Sequence, residues 1–289
     1  MPDIQQPSCA TADTRRFQAD LLAVCGVFRV SPATRPLGAV SSRRVSGLDL
    51  AQVTTNARAI ERDARDARRD HAPFYFLIQQ LGGTARMWHR DRQATVGPGD
   101  FFLVSSTRPA LFRYDGVSVQ ASLHLPRATM AEAFGHHPTA GLHLRAGSVM
   151  ARALNRAFGR LGNGPEEIVE LLAIAGRDAK DRDLDLTDLA LHLIARRAGD
   201  PGLTPAALAA ALDVSLRSLQ RALAAKGISA TAAIQDQRMQ HVRALLRSRS
   251  DMTVAACAQA AGFPDISRFT RDFREAHGCP PGQYRQLPG

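Results

Sequence analysis

Apolar positions change rhythm along this chain of 289 residues. Across 37–126 they come in short runs: LDLAQVTT (48–55), FYFLIQQL (74–81), TARMWHR (84–90), FFLVSS (101–106) and SVQASLHL (118–125). Gly82-Gly83, Gly97-Pro98-Gly99-Asp100 and Asp115-Gly116 part them. Short runs bounded by Gly, Pro and Asp predict strands and tight turns, and several in succession predict a β-barrel or sandwich. After Pro126 the rhythm turns helical in ATMAEAF, GSVMARALNRAFGRLG and PEEIVELLAIAGRDA, separated by His137-Pro138 and by Gly162-Asn163-Gly164-Pro165. Residues 1–36 are mixed, with 17–30 read as a short helix or strand capping the β-rich domain. The polar stretch 177–185 (RDAKDRDLD) reads as a domain boundary. The expected organisation is an N-terminal segment (1–36), a β-rich domain with following helices (37–180) and a helical domain (184–289).

The helical domain repeats one pattern. A helix over 186–197 ends at Gly199-Asp200-Pro201-Gly202. Thr204 is placed to cap the next helix, with Pro205 at its first position and an Ala-rich body to Leu212. Asp213 stands at a turn, where a short polar side chain tolerates left-handed backbone. Ser215 caps a helix over 216–226. Leu219 and Leu223, four apart, face inward and leave Arg217, Gln220 and Arg221 on the other side. A helix over 230–248, anchored by Ile234, Val242, Leu245 and Leu246, leads to a second copy starting at Thr253. There Gly262-Phe263 turns, Pro264-Asp265 opens a helix, and Phe269 and Phe273 form its core stripe. Ser267, Arg268 and Arg271 are left outward. These are two helix-turn-helix units in tandem. The connecting helix would be about 28 Å long at 1.5 Å per residue. That length can hold two helices in phase with successive major grooves, one duplex turn or about 34 Å apart. Arg can bond guanine bidentately, and Ser or Gln can contact bases or phosphates. Any single one of these residues has a solvated helix position as its alternative; the constellation is what points to double-stranded DNA.

Composition adds little. The formal charge of +10 suits a polyanionic partner, but it divides evenly about Pro201, and the N-terminal part has its own basic run at Arg58, Arg62, Arg65, Arg68 and Arg69. Charge therefore does not locate the DNA-binding domain. Arg supplies nearly all of it, with Lys only at 180 and 226, a bias that high-GC coding also produces. Cys9, Cys25, Cys257 and Cys279 show no metal spacing and read as reduced thiols of a cytoplasmic protein. No apolar run reaches the length of a membrane span, and the polar N-terminus lacks the apolar core of a signal peptide.

Over about 186–285 the chain resembles the DNA-binding domain of the AraC/XylS family of transcription regulators. The residues carrying this are Leu208-Ala209, Ser215, Leu219-Gln220-Arg221, Arg238, Ala244, Leu245-Leu246 and Ala255. They continue through Ala261-Gly262-Phe263, Ser267, Phe269, Arg271, Phe273, Gly278, Pro281 and Tyr284-Arg285. Asp213 replaces a usual Gly, and Cys279-Pro280 stands where a small polar residue is common. The resemblance puts base-facing positions at Arg217, Gln220 and Arg221 and at Ile266, Ser267, Arg268 and Arg271. The stretch 37–127 is similar to the cupin-like ligand-binding domain of one branch of the family, through Phe74-Tyr75, Gly82-Gly83, Val96-Gly97-Pro98-Gly99-Asp100, Thr107-Arg108-Pro109 and Leu125-Pro126-Arg127. It implies an α+β protein in which a cupin-like barrel senses a small organic effector and the helices after Arg127 dimerise. It also implies a cytoplasmic, nucleoid-associated homodimer that binds promoter sites and RNA polymerase, more an activator than a repressor.

Effector candidates are taken as inward-facing strand residues: Tyr75, Trp88, Phe102 and His124, each of which plain core packing would also explain. No catalytic residue, metal or cofactor is expected. His89 and His124 are isolated, His136-His137 falls beside Pro138, and no His pair has the alternate spacing a cupin metal site needs. Ser105-Ser106 belongs to no nucleophile motif, and no P-loop Lys-Ser/Thr follows Gly97-Pro98-Gly99-Asp100. The rival readings are an effector-independent regulator of the same type, a cupin enzyme fused to a DNA-binding tail, and a non-specific architectural DNA binder.

Overall fold

The computed structural model describes residues 10–69, 74–134, 140–177 and 185–286. The chain divides into two compact units, residues 1–183 and 184–289.

The first unit opens with α1 (Thr14–Cys25), β1 (Arg29–Ser31), β2 (Gly38–Val45), β3 (Leu48–Thr55), β4 (Ala59–Arg62) and α2 (Ala64–Arg69). It continues with β5 (Phe74–Gly82), β6 (Ala85–His89), β7 (Arg92–Val96), β8 (Phe101–Ser105), β9 (Ala110–Tyr114) and β10 (Ser118–Pro126). It closes with α3 (Arg127–Phe134), β11 (His143–Leu144), α4 (Val149–Gly159) and α5 (Glu166–Arg177). The strands form two antiparallel sheets, ordered β1-β4-β9-β6-β7 and β11-β8-β5-β10-β3-β2. All five predicted runs are strands. β2, β4, β7 and β9 go beyond the prediction, since GAVSSRRV, AIER, RQATV and ALFRY lack a long apolar run.

One core is shared by Val40, Val53, Ile60, Phe76, Ile78, Met87, Val96, Phe102, Val104, Phe112 and Tyr114 of the strands and by Phe17, Leu21 and Cys25 of α1. The four-residue spacing of those α1 positions makes one helix face. Asp13 caps the helix by accepting from the Arg15 N–H at 2.9 Å. Gly38 lets α1 lie on β2, because a Cβ there would stand 2.3 Å from the Phe17 ring. Residues expected merely to cap the strands therefore complete their core. The six-stranded sheet is buried on its other face too: Phe101 packs on Phe158 of α4 with ring centroids 5.4 Å apart, and Tyr75, Leu77, Leu103, Leu123 and Leu125 are likewise buried.

The second unit comprises α6 (Leu186–Arg197), α7 (Pro205–Ala211), α8 (Leu216–Ala224), α9 (Ala230–Ser248), α10 (Val254–Ala260), α11 (Ile266–His277) and α12 (Pro281–Tyr284). Side-chain oxygens of Asp185, Thr204, Ser215, Thr253 and Asp265 accept first-turn N–H groups of five of these helices, satisfying donors that would otherwise lack partners. Asp213 takes φ 55°, the left-handed turn its side chain tolerates. Leu219, Leu223, Phe269 and Phe273 are fully buried, and Phe269 stacks between Phe263 and Phe273 at 4.8 and 5.6 Å.

Candidate nucleic-acid interface and inter-sheet cavity

α8 and α11 are the second helices of the two tandem units. Ser215 accepts from the Ser218 N–H at 3.1 Å and Asp265 from the Arg268 N–H at 2.9 Å, so each helix begins at a fixed, capped end. Burying Leu219 and Leu223 turns Arg217, Gln220 and Arg221 to solvent; burying Phe269 and Phe273 does the same for Ser267, Arg268 and Arg271. Ile266 departs from expectation, since it is half-buried and packs on the second unit's core. Neither Arg217 nor Arg221 has a carboxylate partner among the described residues. On α11 the Arg268 and Arg271 guanidinium groups lie 3.5 and 3.6 Å from Asp272 while keeping 66% and 68% of their side chains exposed. Ion pairs this exposed are worth little and leave both arginines available to phosphate or base. Two positions escaped sequence reasoning. Arg274 is exposed three residues beyond Arg271 on the same face, and Leu216 is exposed in the first turn of α8, where an apolar side chain can meet a thymine methyl.

One arginine holds the two helix-turn-helix lobes together. Ala230, Ile234, Arg238, Val242 and Leu246 form the buried stripe of α9, four residues apart throughout. Arg238 is 5% exposed. Its Nε donates to Ala198 O at 3.0 Å, and its Nη2 donates to Asp200 O, Pro201 O and Leu203 O at 2.8, 3.5 and 3.2 Å. These carbonyls form the loop into α7, in the first lobe. The turn of the second lobe meets the same loop: a Cβ on Gly262 would lie 2.2 Å from Ala198 O and 2.9 Å from Arg238 Nε. Burial lowers the Arg238 pKa and the Asp200 charge opposes that shift, while an arginine stays protonated throughout. The sequence signal is a cation at an i, i+4 position of an apolar stripe.

In the first unit, an open cavity lies between the sheets, with about 430 Å³ of empty space when the solvent at its mouth is included. Leu21 and Cys25 of α1, Phe28, Phe76, Ile78, Phe112, Tyr114, Gln120 and Ser122 are among its walls. Burial pushes the Tyr114 hydroxyl up, so it stays protonated and donates to Gln120 Oε1 at 3.4 Å. Gln120 Nε2 donates to Gln80 Oε1 at 2.9 Å, and Gln80 Nε2 to Ser118 Oγ at 2.8 Å. Arg62 stacks behind the aromatic wall, 4.3 Å from the Phe28 ring centre, and donates to the carbonyls of Val27, Ser106 and Cys25.

The four expected inward residues do not converge on this cavity. Strand alternation puts Phe76 and Ile78 on the cavity side of β5, so Tyr75 points the other way, beneath Arg127 at 5.7 Å. Trp88 likewise stands opposite the core-facing Met87, half-buried under Arg113. The inward orientation of Tyr75 and Trp88 is thus corrected. Phe102 and His124 do face inward, with His124 against Phe76 at 4.8 Å, in the shell behind the cavity wall. His136-His137 lies outside the described residues. Among the described residues no group of three His, Cys, Asp or Glu is placed to hold a metal, and no helix is long and apolar enough to cross a membrane.

A β-rich unit with an internal cavity and a helical unit with two exposed, basic second helices together define a DNA-binding regulator with a ligand-binding domain. The family models agree: residues 23–184 match the AraC-binding-like domain and residues 208–287 a helix-turn-helix domain. The chain belongs to the AraC family of transcription regulators. It is similar to the transcriptional activator NphR of a Rhodococcus species, 26% identical over 267 residues, covering 84% of this chain and 79% of that protein. An uncharacterized protein in the nit 5' region of Bacillus sp. (strain OxB-1) is 25% identical over 127 residues, covering 42% of this chain and 49% of that one. Among solved structures, the AraC-like transcriptional activator CuxR covers 86% of this chain and 96% of its own at 16% identity, with a TM-score of 0.49.

Proposed function

We propose that this protein is an effector-responsive transcription activator that reads promoter DNA through α8 and α11. The observation that carries the reading is the pair of capped helices, joined through the nineteen-residue α9, that expose Arg217, Gln220 and Arg221 on one and Ser267, Arg268 and Arg271 on the other. Arg221 and Arg271 are assigned to base edges or phosphates; Ile266 contributes through its exposed part. The β-unit takes up a small organic molecule, with Phe102 and His124 in the shell behind the cavity. Binding shifts the equilibrium between DNA-competent and incompetent arrangements only by its differential affinity for the two. The protein works as a cytoplasmic, nucleoid-associated homodimer, contacts RNA polymerase and carries out no catalysis. Likeness to a named activator supports the sign of regulation.

Selection of bound sequences from a random DNA pool tests this. The expected product is a motif of two conserved blocks about one helical turn apart. Recovery of unselected sequence, with affinity falling uniformly with salt, would point instead to an architectural binder.

A further inference from the structure

If the β-unit senses a small molecule, its cavity states what kind. Aromatic and aliphatic side chains make most of the wall, and no residue lining it carries a formal charge. Arg62, the cation stacked on Phe28, does not line the cavity and is committed to three carbonyl oxygens. A carboxylate or ammonium brought here would lose its water without gaining a partner, at prohibitive cost. A sugar fails differently, because its many hydroxyls need many donors and acceptors. Gln120 is already engaged at both ends of its amide, by Tyr114 and by Gln80.

One polar group is unspent. Ser122 lies mid-way along β10, is 7% exposed and lines the cavity, and its hydroxyl has no hydrogen-bond partner among the described residues. Its oxygen is not sealed inside the core, so a group brought into the cavity can reach it. Because the figure of about 430 Å³ counts space open to solvent, the enclosed part is smaller still, which limits an occupant to a compact molecule.

We propose that this cavity binds a compact, uncharged molecule, about one ring in size, whose single hydroxyl or carbonyl group hydrogen-bonds to the Ser122 hydroxyl. The ring lies against the wall that Phe28, Phe76 and Phe112 form by packing on one another. α1 supplies part of the wall through Leu21 and Cys25, so the N-terminal helix is part of the site.

Calorimetric titration of the full-length protein tests this with benzyl alcohol, toluene, benzoate and glucose as probes. Saturable binding is expected for benzyl alcohol, weaker binding for toluene, and none for benzoate or glucose. Ser122→Ala should weaken benzyl alcohol about threefold to tenfold, the range of one neutral hydrogen bond, and leave toluene unchanged. An unaltered melting curve for that variant separates the lost bond from a lost fold. Three results would overturn the proposal: no benzyl alcohol binding up to its solubility limit, equal binding by Ser122→Ala, or tighter binding of benzoate or glucose. DNA selection on the same preparation, with and without probe, separates the two readings. Sequence-selective DNA binding without probe binding leaves the regulator and removes this ligand class. Probe binding with no selected motif keeps the ligand class and removes the regulator.

Discussion

The helical unit and the β-unit differ in how their residues are buried, and that difference decides what a sequence reveals. A helix such as α11 buries one stripe, so Phe269 and Phe273 at once fix which side chains face out. The central strands β5, β8 and β10 are buried on both faces, between the inter-sheet core and the covering helices. In FFLVS every position is buried, and alternation no longer marks the inward side. The first unit hides its orientation where the second displays it.

Ways to break or sharpen this contrast run from large effects to small. Phe269→Ala should destabilise the helical unit by about 3–5 kcal/mol, because a fully buried ring would leave a cavity between Phe263 and Phe273. Hydrogen exchange should show the loss confined to that unit; full retention of protection would mean the helix phase is wrong.

The β-unit should fail first in acid. Burial holds the His89 imidazole at a pKa of about 4, below its ordinary 6.5, while its Nε2 accepts from the Ser105 N–H at 3.2 Å. Since the folded-state pKa is the lower one, the stabilisation is complete above 6.5 and drains away as pH falls toward 4. The loss is on the order of 3 kcal/mol. Melting curves across that window should shift for the wild type and much less for His89→Gln, which cannot titrate. His277 is lowered for the same reason, with help from Arg243, but it lies nearer the surface and should matter less to the helical unit.

Arg238→Met should cost about 3 kcal/mol by leaving the carbonyls of the α7 loop unpaired. It should also change specificity: if Arg238 sets the phase of the two lobes, the variant tolerates an inserted base pair between half-sites that the wild type rejects. Equal discrimination by both proteins would reduce Arg238 to a packing role. Smallest is Arg271→Ala, expected to weaken specific binding by about 1–3 kcal/mol and relax one base preference, read in a titration against selected DNA.

Much of the helical unit is legible in the sequence: the caps at Thr204 and Ser215, the left-handed Asp213 turn and the 230–248 helix follow from local chemistry and four-residue spacing. Arg238 stands out as a matching residue but not as a buried key, because its role depends on carbonyls some forty positions earlier. Ile266 is expected at the bases, yet one turn of α11 carries it partly back to the core. In the β-unit the runs that become strands are legible and the cavity is not. Its walls gather Leu21, Phe28, Phe76, Phe112 and Ser122 from across the unit, and no local pattern joins them. Tyr75 is aromatic and polar in a strand, which suggests a pocket residue, but its neighbour Phe76 has the inward parity.

The most direct test of the central claim is methylation interference on selected DNA, comparing wild type with Arg221→Ala and Arg271→Ala. Two helices reading successive grooves predict two interfering blocks about one turn apart. Arg221→Ala should erase contacts in one block only, and Arg271→Ala in the other only. A single block, or the same block weakened by both variants, would contradict the account.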